Sequence, residues 1–491
     1  MKSYEYYYLA KRNILPDAEK RSRVAGQIKK GSRIHVSAVC GKAMASVACM
    51  LKDYGCKVSG SDSAFHLPMS AVLDNHRIKR LPLSANNVKN IDLLVVGNSL
   101  SPSSIEVLEA KKRNVPMVSG AEAISQISKG KRSLVVAGTH GKTTTSALLT
   151  HVFIESGKDP VYMIGGVFQN SRDSYGFGSK KSKHIIYEGD EYNCAFFDRA
   201  PKFLRYNTTS VILTSIEHDH FDLYPSFEDY KMAFQFLVDD LPKTGFAVVH
   251  ESVLGNINLK NSLSKVYTYG SSKKSGAYYK IEKVDSTGTT FTLKVKGFPM
   301  FKNIHLPMYG EYNIANATSV FVLSLLEGIS DKSIREAFAS FPGTKERQEL
   351  LGVNSKEVTV IRDYAHHPTA VTLTLEGLKL RYPKKRIVTV FEPRSATSRS
   401  KIFESDYAKS LLQSDVSIVV SPHFKEGENK SNTIDVNNVT NFLTKSKKEA
   451  YGANDCHAAL GKLSKICKKG DLVVFMSSGD MDSIPTKFLN T

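Results

Sequence analysis

A predicted strand, a glycine-containing loop and a predicted helix follow one another without a gap around residue 140, and this arrangement constrains the fold most strongly. The apolar strand covers residues 133–137, and the helix runs from Lys142 to about Ser156, just before Gly157. Such a loop joins strand to helix at the carboxyl edge of a parallel sheet, where the helix N-terminus faces bound phosphate. The sequence therefore predicts an α/β fold with a phosphate site at this loop.

The residue types in the loop fit that chemistry one by one. Gly138 and Gly141 let backbone N–H groups turn toward phosphate, Lys142 reaches the terminal phosphates, and the Thr143 hydroxyl is a potential magnesium ligand. A full Walker loop would carry glycine at the position of Val136, so the match is to a shortened loop. A merely structural turn is the alternative, and the strand-loop-helix context favours phosphate binding.

Strands and helices alternate on both sides of this unit, which predicts three α/β domains over residues 1–130, 131–342 and 343–491. The first 30 residues remain unassigned. A hairpin is predicted over 277–295 and a helix after Gly310. The other predicted strands cover 33–39, 57–61, 91–96, 184–187, 210–214, 246–249, 358–361, 386–391, 416–420 and 471–476, with helices over 43–54 and 103–113.

Composition narrows the class of protein. Hydrophobic residues make up 41% and charged residues 23% of the chain, and no apolar run approaches the ~18 residues that span a bilayer. The start of the chain also lacks an apolar signal segment, so we expect a cytoplasmic protein with no membrane partner. The six cysteines are scattered and are expected to be reduced thiols.

The net charge of +19 suggests polyanionic partners, and nucleic acid is the obvious candidate. The basic residues, however, are spread along the chain, without an arginine-rich arm. A solvated surface is therefore favoured, and no nucleic-acid partner is expected. Substrates that carry a pyrophosphate or a triphosphate would also gain from a positive field.

Two acidic clusters follow predicted strands downstream of the loop, at residues 188–191 and 217–220. Carboxylates at neighbouring strand ends beside a phosphate loop are suited to Mg²⁺, which prefers oxygen ligands and bridges to nucleotide phosphates. A single acidic cluster is usually only solvated. Two clusters in this context favour a metal site.

Two further segments have uncertain roles when taken alone. Residues 310–317 start a helix, and their amides are suited to capping or to contacting a base, with capping favoured. Residues 363–369 follow an apolar strand and contain the pair His366 and His367. These histidines are equally well explained as acid/base groups and as polar loop residues.

Taken together, these segments resemble the Mur ligase family from about residue 33 to the C-terminus. The family carries, in order, a Gly-Thr-x-Gly-Lys-Thr loop, a strand-end glutamate, an Asp-His-x-Asp element, a Gly-x-x-Asn-x-x-Asn helix start, an arginine and an Asp-Tyr-x-His loop. The corresponding segments here are 138–143, Glu188, 219–222, 310–316, Arg347 and 363–366.

The resemblance implies a three-domain ligase with an N-terminal Rossmann-like UDP-binding domain, a central P-loop ATPase domain and a C-terminal Rossmann-like domain for the amine. It implies ATP and Mg²⁺ as cofactors. The implied catalytic residues are Lys142, Glu188, His220 and Arg347, and the implied metal ligands are Thr143, Glu188 and His220. The implied ATP-binding residues are Gly138, Thr139, His140, Gly141, Lys142, Thr143, Thr144, Asn313, Asn316, Arg347 and Asp363.

Within the family, Tyr192 and the segment Phe-Glu-Pro-Arg-Ser at 391–395 are most similar to the branch that joins UDP-N-acetylmuramate to the tripeptide L-alanyl-γ-D-glutamyl-meso-diaminopimelate in murein recycling. The branch that adds L-alanine typically has serine at the position of Tyr192. The implied substrate-binding residues are Gly41, Ser61, Asp62, His366, Arg394 and Arg399.

The function expected from the sequence is therefore ATP-dependent formation of an amide between UDP-N-acetylmuramate and this tripeptide by a monomer. An L-alanine ligase is the first alternative, and a folylpolyglutamate-type ligase is a more remote one. A nucleic-acid-binding ATPase is the alternative from another class.

Overall fold

The fold is described from a computed structural model over residues 27–66, 69–170, 173–179, 181–221, 223–422, 424 and 432–491. Most of the unassigned N-terminal segment and Asp222 of the Asp-His-x-Asp element lie outside these residues. Three separate α/β sheets organise the described chain, together with one short antiparallel pair. The α/β class predicted from the alternation of strands and helices is confirmed.

The first sheet has five strands, all parallel, within the described residues. The chain leaves its first strand in one direction and then returns to the other side of that strand, which is the doubly wound arrangement. The crevice of this sheet therefore lies beside its first strand. Across the sheet the strands are Lys79–Pro82, Lys57–Asp62, Arg33–Ser37, Leu93–Val96 and Met117–Ser119.

The central sheet contains ten strands in the described part of the chain, parallel around the phosphate loop and extended by antiparallel strands at both ends. The predicted hairpin forms one of these extensions. Across the sheet the strands are Met300–Leu306, Gly288–Val295, Ala277–Asp285, Lys265–Gly270, Phe246–His250, Ser210–Leu213, Arg132–Ala137, His184–Gly189, Val161–Met163 and Tyr175–Gly176. The separate short pair is Asn193–Ala195 with Asp198–Pro201.

The third sheet has six strands among the described residues; five are parallel, and the sixth, at one edge, is antiparallel. Its buried strands are rich in valine, isoleucine and phenylalanine, as expected for a parallel sheet covered on both faces. Across the sheet the strands are Glu349–Val353, Thr359–Asp363, Leu472–Met476, Ile387–Phe391, Val416–Val420 and Glu449–Ala453.

Helices cover the faces of the sheets, and several begin at a serine or aspartate whose side chain accepts a bond from a first-turn amide. None of the described helices is long and apolar enough to cross a membrane. The α-helices are Lys42–Tyr54, Met69–Asn75, Ile105–Lys112, Gly120–Ile127, Lys142–Glu155, Phe227–Asp239, Glu311–Leu326, Asp331–Ala339, Pro368–Arg381, Ala396–Arg399, Glu404–Leu411, Val436–Lys445, Cys456–Ile466 and Ile484–Leu489.

The predicted strands exist, and their ends differ from the prediction by at most two residues. The first strand, predicted over 33–39, ends at Ser37 because Ala38 adopts a φ of 57° and turns the chain. The prediction missed short strands such as Met117–Ser119, because three residues are too few to show the alternation of apolar and polar residues that identifies a strand.

Candidate active site

The three sheets meet around one cavity of about 860 Å³. Its walls include the phosphate loop, the start of the first helix, and the loop that follows the strand Thr359–Asp363. Because parallel strands direct their carboxyl ends and following loops to one edge, ligands of α/β folds collect at such edges. The cavity therefore has the position expected of an active site.

The conformation of the phosphate loop requires glycine at two positions. Gly138 has a φ of +130° and Gly141 a φ of +80°, a region that side chains rarely adopt. A Cβ at Gly138 would lie 2.3 Å from Thr214 Oγ1, and one at Gly141 would lie 2.8 Å from Asn316 Oδ1. The loop can therefore approach its neighbours this closely only with both glycines present.

Lys142 is folded back over this loop. Its Nζ donates to the carbonyl oxygens of Gly138 at 2.6 Å and Thr139 at 3.1 Å, and to Glu191 Oε1 at 3.0 Å. Burial opposes the charge, but Glu191 and the neighbouring acids outweigh it and raise the pKa of Lys142. The ammonium group is thus held in its charged form at the loop, where bound phosphates would compete with Glu191 for it.

Glu191 lies at the centre of the site; the sequence placed it in the acidic cluster 188–191 but gave it no individual role. It is buried, and its Oε1 also lies 3.4 Å from His220 Nε2. Burial opposes its ionisation, but Lys142 and His220 together hold the pKa of Glu191 down at about 2. Its other oxygen, Oε2, is buried without a hydrogen-bond partner among the described residues. Membership of the acidic cluster 188–191, just beyond the end of the strand, was the signal in the sequence, and it did not single Glu191 out from its neighbours.

Thr143 and Glu188 are the predicted magnesium ligands that the structure brings into contact. Thr143 Oγ1 donates to Glu188 Oε1 at 2.7 Å, while Glu188 Oε2 accepts from the backbone of Gly165 at 2.6 Å. Burial and then the charge of Asp190 raise the pKa of Glu188, and the nearby charge of Lys142 does not outweigh them. These oxygen donors, together with the unpartnered oxygen of Glu191, fit a hard divalent cation such as Mg²⁺.

His220 has a φ of +54° and approaches Glu191, while its ring lies 4.4 Å from the ring of Tyr192, measured between centroids. The acidic partners Glu191 and Asp219 raise the pKa of His220 against the effect of burial. The neighbouring Asp219 accepts a 2.5 Å hydrogen bond from Thr397 Oγ1 on the third sheet's side of the cavity. This contact ties the loop that carries His220 to the C-terminal part of the chain.

Arg347 and Asp363 approach the loop from the C-terminal part. Arg347 Nη2 donates to Thr143 Oγ1 at 3.1 Å, and its guanidinium lies 4.6 Å from the centroid of the Tyr364 ring. Asp363 is buried and accepts backbone N–H groups of Gln348 at 2.7 Å and Ala365 at 2.8 Å. The contact of Arg347 with a terminal phosphate and the contact of Asp363 with the ribose both stay predictions.

The two asparagines predicted for the adenine are buried on the helix Glu311–Leu326. Asn313 lines the cavity and donates to the Tyr309 carbonyl at 2.7 Å, and its Oδ1 has no hydrogen-bond partner in the described chain. Asn316 lies behind Gly141, and its Nδ2 is likewise unpartnered there. Contact with a base stays a prediction for both.

The predicted UDP-binding residues differ in position. Gly41 is exposed at the start of the helix Lys42–Tyr54, and Asp62 accepts the Cys40 N–H at 2.8 Å. Ser61 is fully buried, and its hydroxyl donates to Glu106 at 2.8 Å within a polar cluster under the sheet. The geometry therefore does not support substrate contact by Ser61, because the strand turns its side chain inward.

Of the predicted amine-site residues His366, Arg394 and Arg399, only His366 is among the residues that line the cavity. Burial lowers the pKa of His366 to about 4. Arg394 Nη1 donates to the buried Glu392 at 3.1 Å, while the Arg394 side chain remains 34% exposed. The guanidinium of Arg399 lies 5.0 Å from the Phe424 ring centroid. Substrate contact by these residues stays a prediction.

Replacing Glu188 by glutamine should raise the magnesium concentration needed for half-maximal activity by at least about tenfold, because a neutral amide binds a hard cation poorly. A titration of ligase activity with Mg²⁺ at saturating ATP measures this shift. Glu282→Gln, at an exposed pair with Lys280, serves as the control. An unchanged magnesium requirement would assign Glu188 a structural role instead.

Family models match almost the whole chain. Residues 33–132 match the Mur ligase family catalytic domain, residues 136–324 the Mur ligase middle domain, and residues 346–479 the Mur ligase glutamate ligase domain. The three matches follow one another in the same order as the three sheets.

Individual relatives agree over similar lengths. The UDP-N-acetylmuramate–L-alanine ligase of Clostridium tetani is 30% identical, with 94% of this chain and 99% of the relative covered. The UDP-N-acetylmuramate–L-alanyl-γ-D-glutamyl-meso-2,6-diaminoheptandioate ligase of Escherichia coli is 28% identical, with 93% and 98% covered. The crystal structure of a murein peptide ligase from Psychrobacter arcticus has a TM-score of 0.67 at 26% identity, with 94% and 98% covered. The chain thus belongs to the Mur ligase family of ATP-dependent amide ligases.

Proposed function

We propose that the protein joins the lactoyl carboxylate of UDP-N-acetylmuramate to the amine of the tripeptide L-alanyl-γ-D-glutamyl-meso-diaminopimelate. The observation that carries the ligase chemistry is the convergence of Lys142, Thr143, Glu188 and Arg347 at one end of a single cavity. The carboxylate attacks the γ-phosphorus of ATP, ADP leaves, and an acyl phosphate forms. The amine then attacks the acyl carbon, loses a proton and expels inorganic phosphate.

The residues act by position and charge. The transferring phosphoryl group spreads negative charge over its oxygens, so cationic donors fixed around it lower the barrier. Lys142 and Arg347 supply these donors, and the loop amides next to Gly141 supply further N–H groups. Thr143 and Glu188, with His220 nearby, would hold Mg²⁺, which when bound neutralises phosphate charge.

Two features in and beside the cavity support the larger amine. Tyr192 is 41% exposed, lines the cavity and presents an aromatic surface where a serine would present almost none. The side chain of Arg394 lies over Gly479. A Cβ at residue 479 would lie 2.5 Å from the Cδ of Arg394, so glycine at residue 479 makes room for the arginine. A planar guanidinium suits the several carboxylates of the tripeptide better than an ammonium does.

An L-alanine ligase is the second candidate, because relatives of both kinds match the chain with nearly equal identity. The deciding experiment measures ADP release with UDP-N-acetylmuramate and, in turn, tripeptide, L-alanine or no amine. We expect the tripeptide to give the higher kcat/KM. A higher value with L-alanine would overturn the tripeptide proposal, and hydrolysis stimulated by DNA alone would instead favour the nucleic-acid ATPase.

The same assay carries a second arm with Arg394→Lys. We expect KM for the tripeptide to rise about tenfold, the effect of losing one charge-assisted hydrogen bond, with the KM for ATP unchanged. Arg335→Lys is the matched control, since Arg335 also pairs with an acid, Asp331 at 3.4 Å, on a surface helix. An unaltered tripeptide KM and turnover would remove Arg394 from the amine site.

A further inference from the structure

A second cluster of metal-binding side chains lies beside the phosphate loop. His140, Glu217 and His367 each offer one ligand atom, and these atoms all lie within 4.8 Å of one another. His140 Nε2 lies 3.3 Å and His367 Nδ1 lies 3.9 Å from the same oxygen, Glu217 Oε2. Two imidazoles and a carboxylate thus converge on one point.

His367 has no partner that explains its position. Both of its ring nitrogens are buried without a hydrogen-bond partner among the described residues, and 3.9 Å is too long for a bond to Glu217. Phe403 closes one side of the ring at 5.5 Å between centroids, and the His140 ring lies on another side at 4.5 Å. A buried imidazole with two unpaired nitrogens costs free energy that a bound ion would recover.

The carboxylate is held in place by its neighbours. Thr369 Oγ1 donates to Glu217 Oε2 at 2.7 Å, and the Glu217 backbone is bonded on both sides to the Thr139 hydroxyl, at 2.9 and 3.0 Å. Supporting bonds of this kind fix the orientation of metal ligands. The three side chains are therefore a built cluster rather than a chance surface group.

The protonation states also suit a metal. Burial and then the nearby His140 lower the pKa of His367 to about 3, so its imidazole is neutral and its nitrogen lone pair is available. Burial opposes ionisation of Glu217, but the bond with His140 outweighs it, and the pKa of Glu217 is lowered to about 2. Metal ligation requires a neutral imidazole and an ionised carboxylate.

We propose that His140, Glu217 and His367 form a Zn²⁺ site, separate from the magnesium ligands Thr143 and Glu188. Imidazole nitrogens favour zinc and related transition metals, whereas Mg²⁺ prefers oxygen donors. Tetrahedral zinc with bonds of about 2.0–2.2 Å holds its ligand atoms about 3.4 Å apart, so small side-chain movements complete the site. Glu217 remains 40% exposed and leaves a fourth position open to water.

The three ligands come from different parts of the fold. His140 lies in the phosphate loop, and Glu217 follows the strand Ser210–Leu213 of the central sheet. His367 immediately precedes the helix Pro368–Arg381, which connects two strands of the third sheet. A metal bound here fastens the C-terminal part of the chain to the nucleotide loop.

Metal binding to the full-length, untagged protein tests the proposal. The protein is freed of metal with a chelator and dialysed against Zn²⁺ in excess Mg²⁺, and retained zinc is counted by elemental analysis. We expect one zinc per chain, and at least about a hundredfold weaker binding in His367→Asn and Glu217→Gln. His457→Asn, at an exposed histidine on the helix Cys456–Ile466, should bind as the wild type does.

Substitution of Co²⁺ identifies the ligands. The proposed site should give the visible bands of tetrahedral cobalt without a sulfur-to-metal charge-transfer band, which would signal cysteine binding. Circular dichroism checks folding, and Glu217→Gln, at a half-exposed side chain, gives the answer if His367→Asn does not fold. The proposal is overturned if the wild type retains no zinc, if both variants retain it equally well, or if the spectrum indicates thiolate ligands.

Discussion

Replacing Lys142 by alanine is expected to lower the rate of ligation by at least about a hundredfold, the effect of one well-placed electrostatic group. Lys142 is the cation nearest the glycine loop and is bonded to two of its carbonyls. Its charge would stabilise the phosphoryl group as negative charge develops there, and alanine cannot replace it. The rate of ADP release at saturating UDP-N-acetylmuramate and amine measures the loss.

The variant should remain folded, because His220 still lies beside Glu191 when the lysine is absent. Lys332→Ala is the matched control, at a lysine with an 84% exposed side chain in the same central part of the chain. Thermal unfolding of both variants separates lost chemistry from lost structure. Normal turnover in a folded Lys142→Ala protein would contradict the assignment of this loop as the phosphate site.

Replacing Glu191 by glutamine should have the largest effect on stability. Glu191 is the shared partner of Lys142 at 3.0 Å and His220 at 3.4 Å, and it is buried. Removing the acidic member of a buried ion pair leaves uncompensated charge and costs about 3–5 kcal/mol. We expect the midpoint of thermal unfolding to fall by at least about 6 °C. Glu282→Gln, at an exposed ion pair, should leave the midpoint unchanged.

The stability lost in Glu191→Gln should depend on pH in a definite direction. The folded pKa of Glu191 is about 2, below the ~4.3 of an unfolded glutamate, so its stabilising effect is complete above about pH 4.3. That effect is lost as pH falls from about 4.3 through the folded pKa. The difference in midpoint between wild type and Glu191→Gln should therefore narrow as pH is lowered below about 4. A difference that is absent at neutral pH would show that Glu191 does not stabilise the two cations.

The sequence by itself determined the α/β class and the type of the loop at residues 138–145. Both depend on local information: the length of apolar runs, the spacing of glycines, and the residues that start a helix. Strand 416–420, for example, has the predicted bounds, since its five consecutive residues are all buried and no alternation was needed to recognise it.

Only the tertiary structure decided which side chains meet. Glu191 rather than Glu188 pairs with Lys142, because the chain turns after Gly189 and the direction of the next side chains depends on packing with the helix Phe227–Asp239. Ser61 seemed suited to bind substrate, but its strand points it into the Glu106 cluster. No local pattern carries either direction.

The same limit applies to the cluster of His140, Glu217 and His367. These residues lie 77 and 150 positions apart along the chain, and the distances between their side chains depend on how the third sheet packs against the phosphate loop. The residues alone left His366 and His367 as a pair of equal standing, and the family resemblance assigned a substrate role only to His366. Packing separated them, although both line the cavity: His366 Nδ1 is bonded to the Tyr364 carbonyl at 2.9 Å, whereas His367 faces Glu217 with both nitrogens unpaired in the described chain. Burial and long-range contact, which no window of sequence contains, gave adjacent histidines different chemistry.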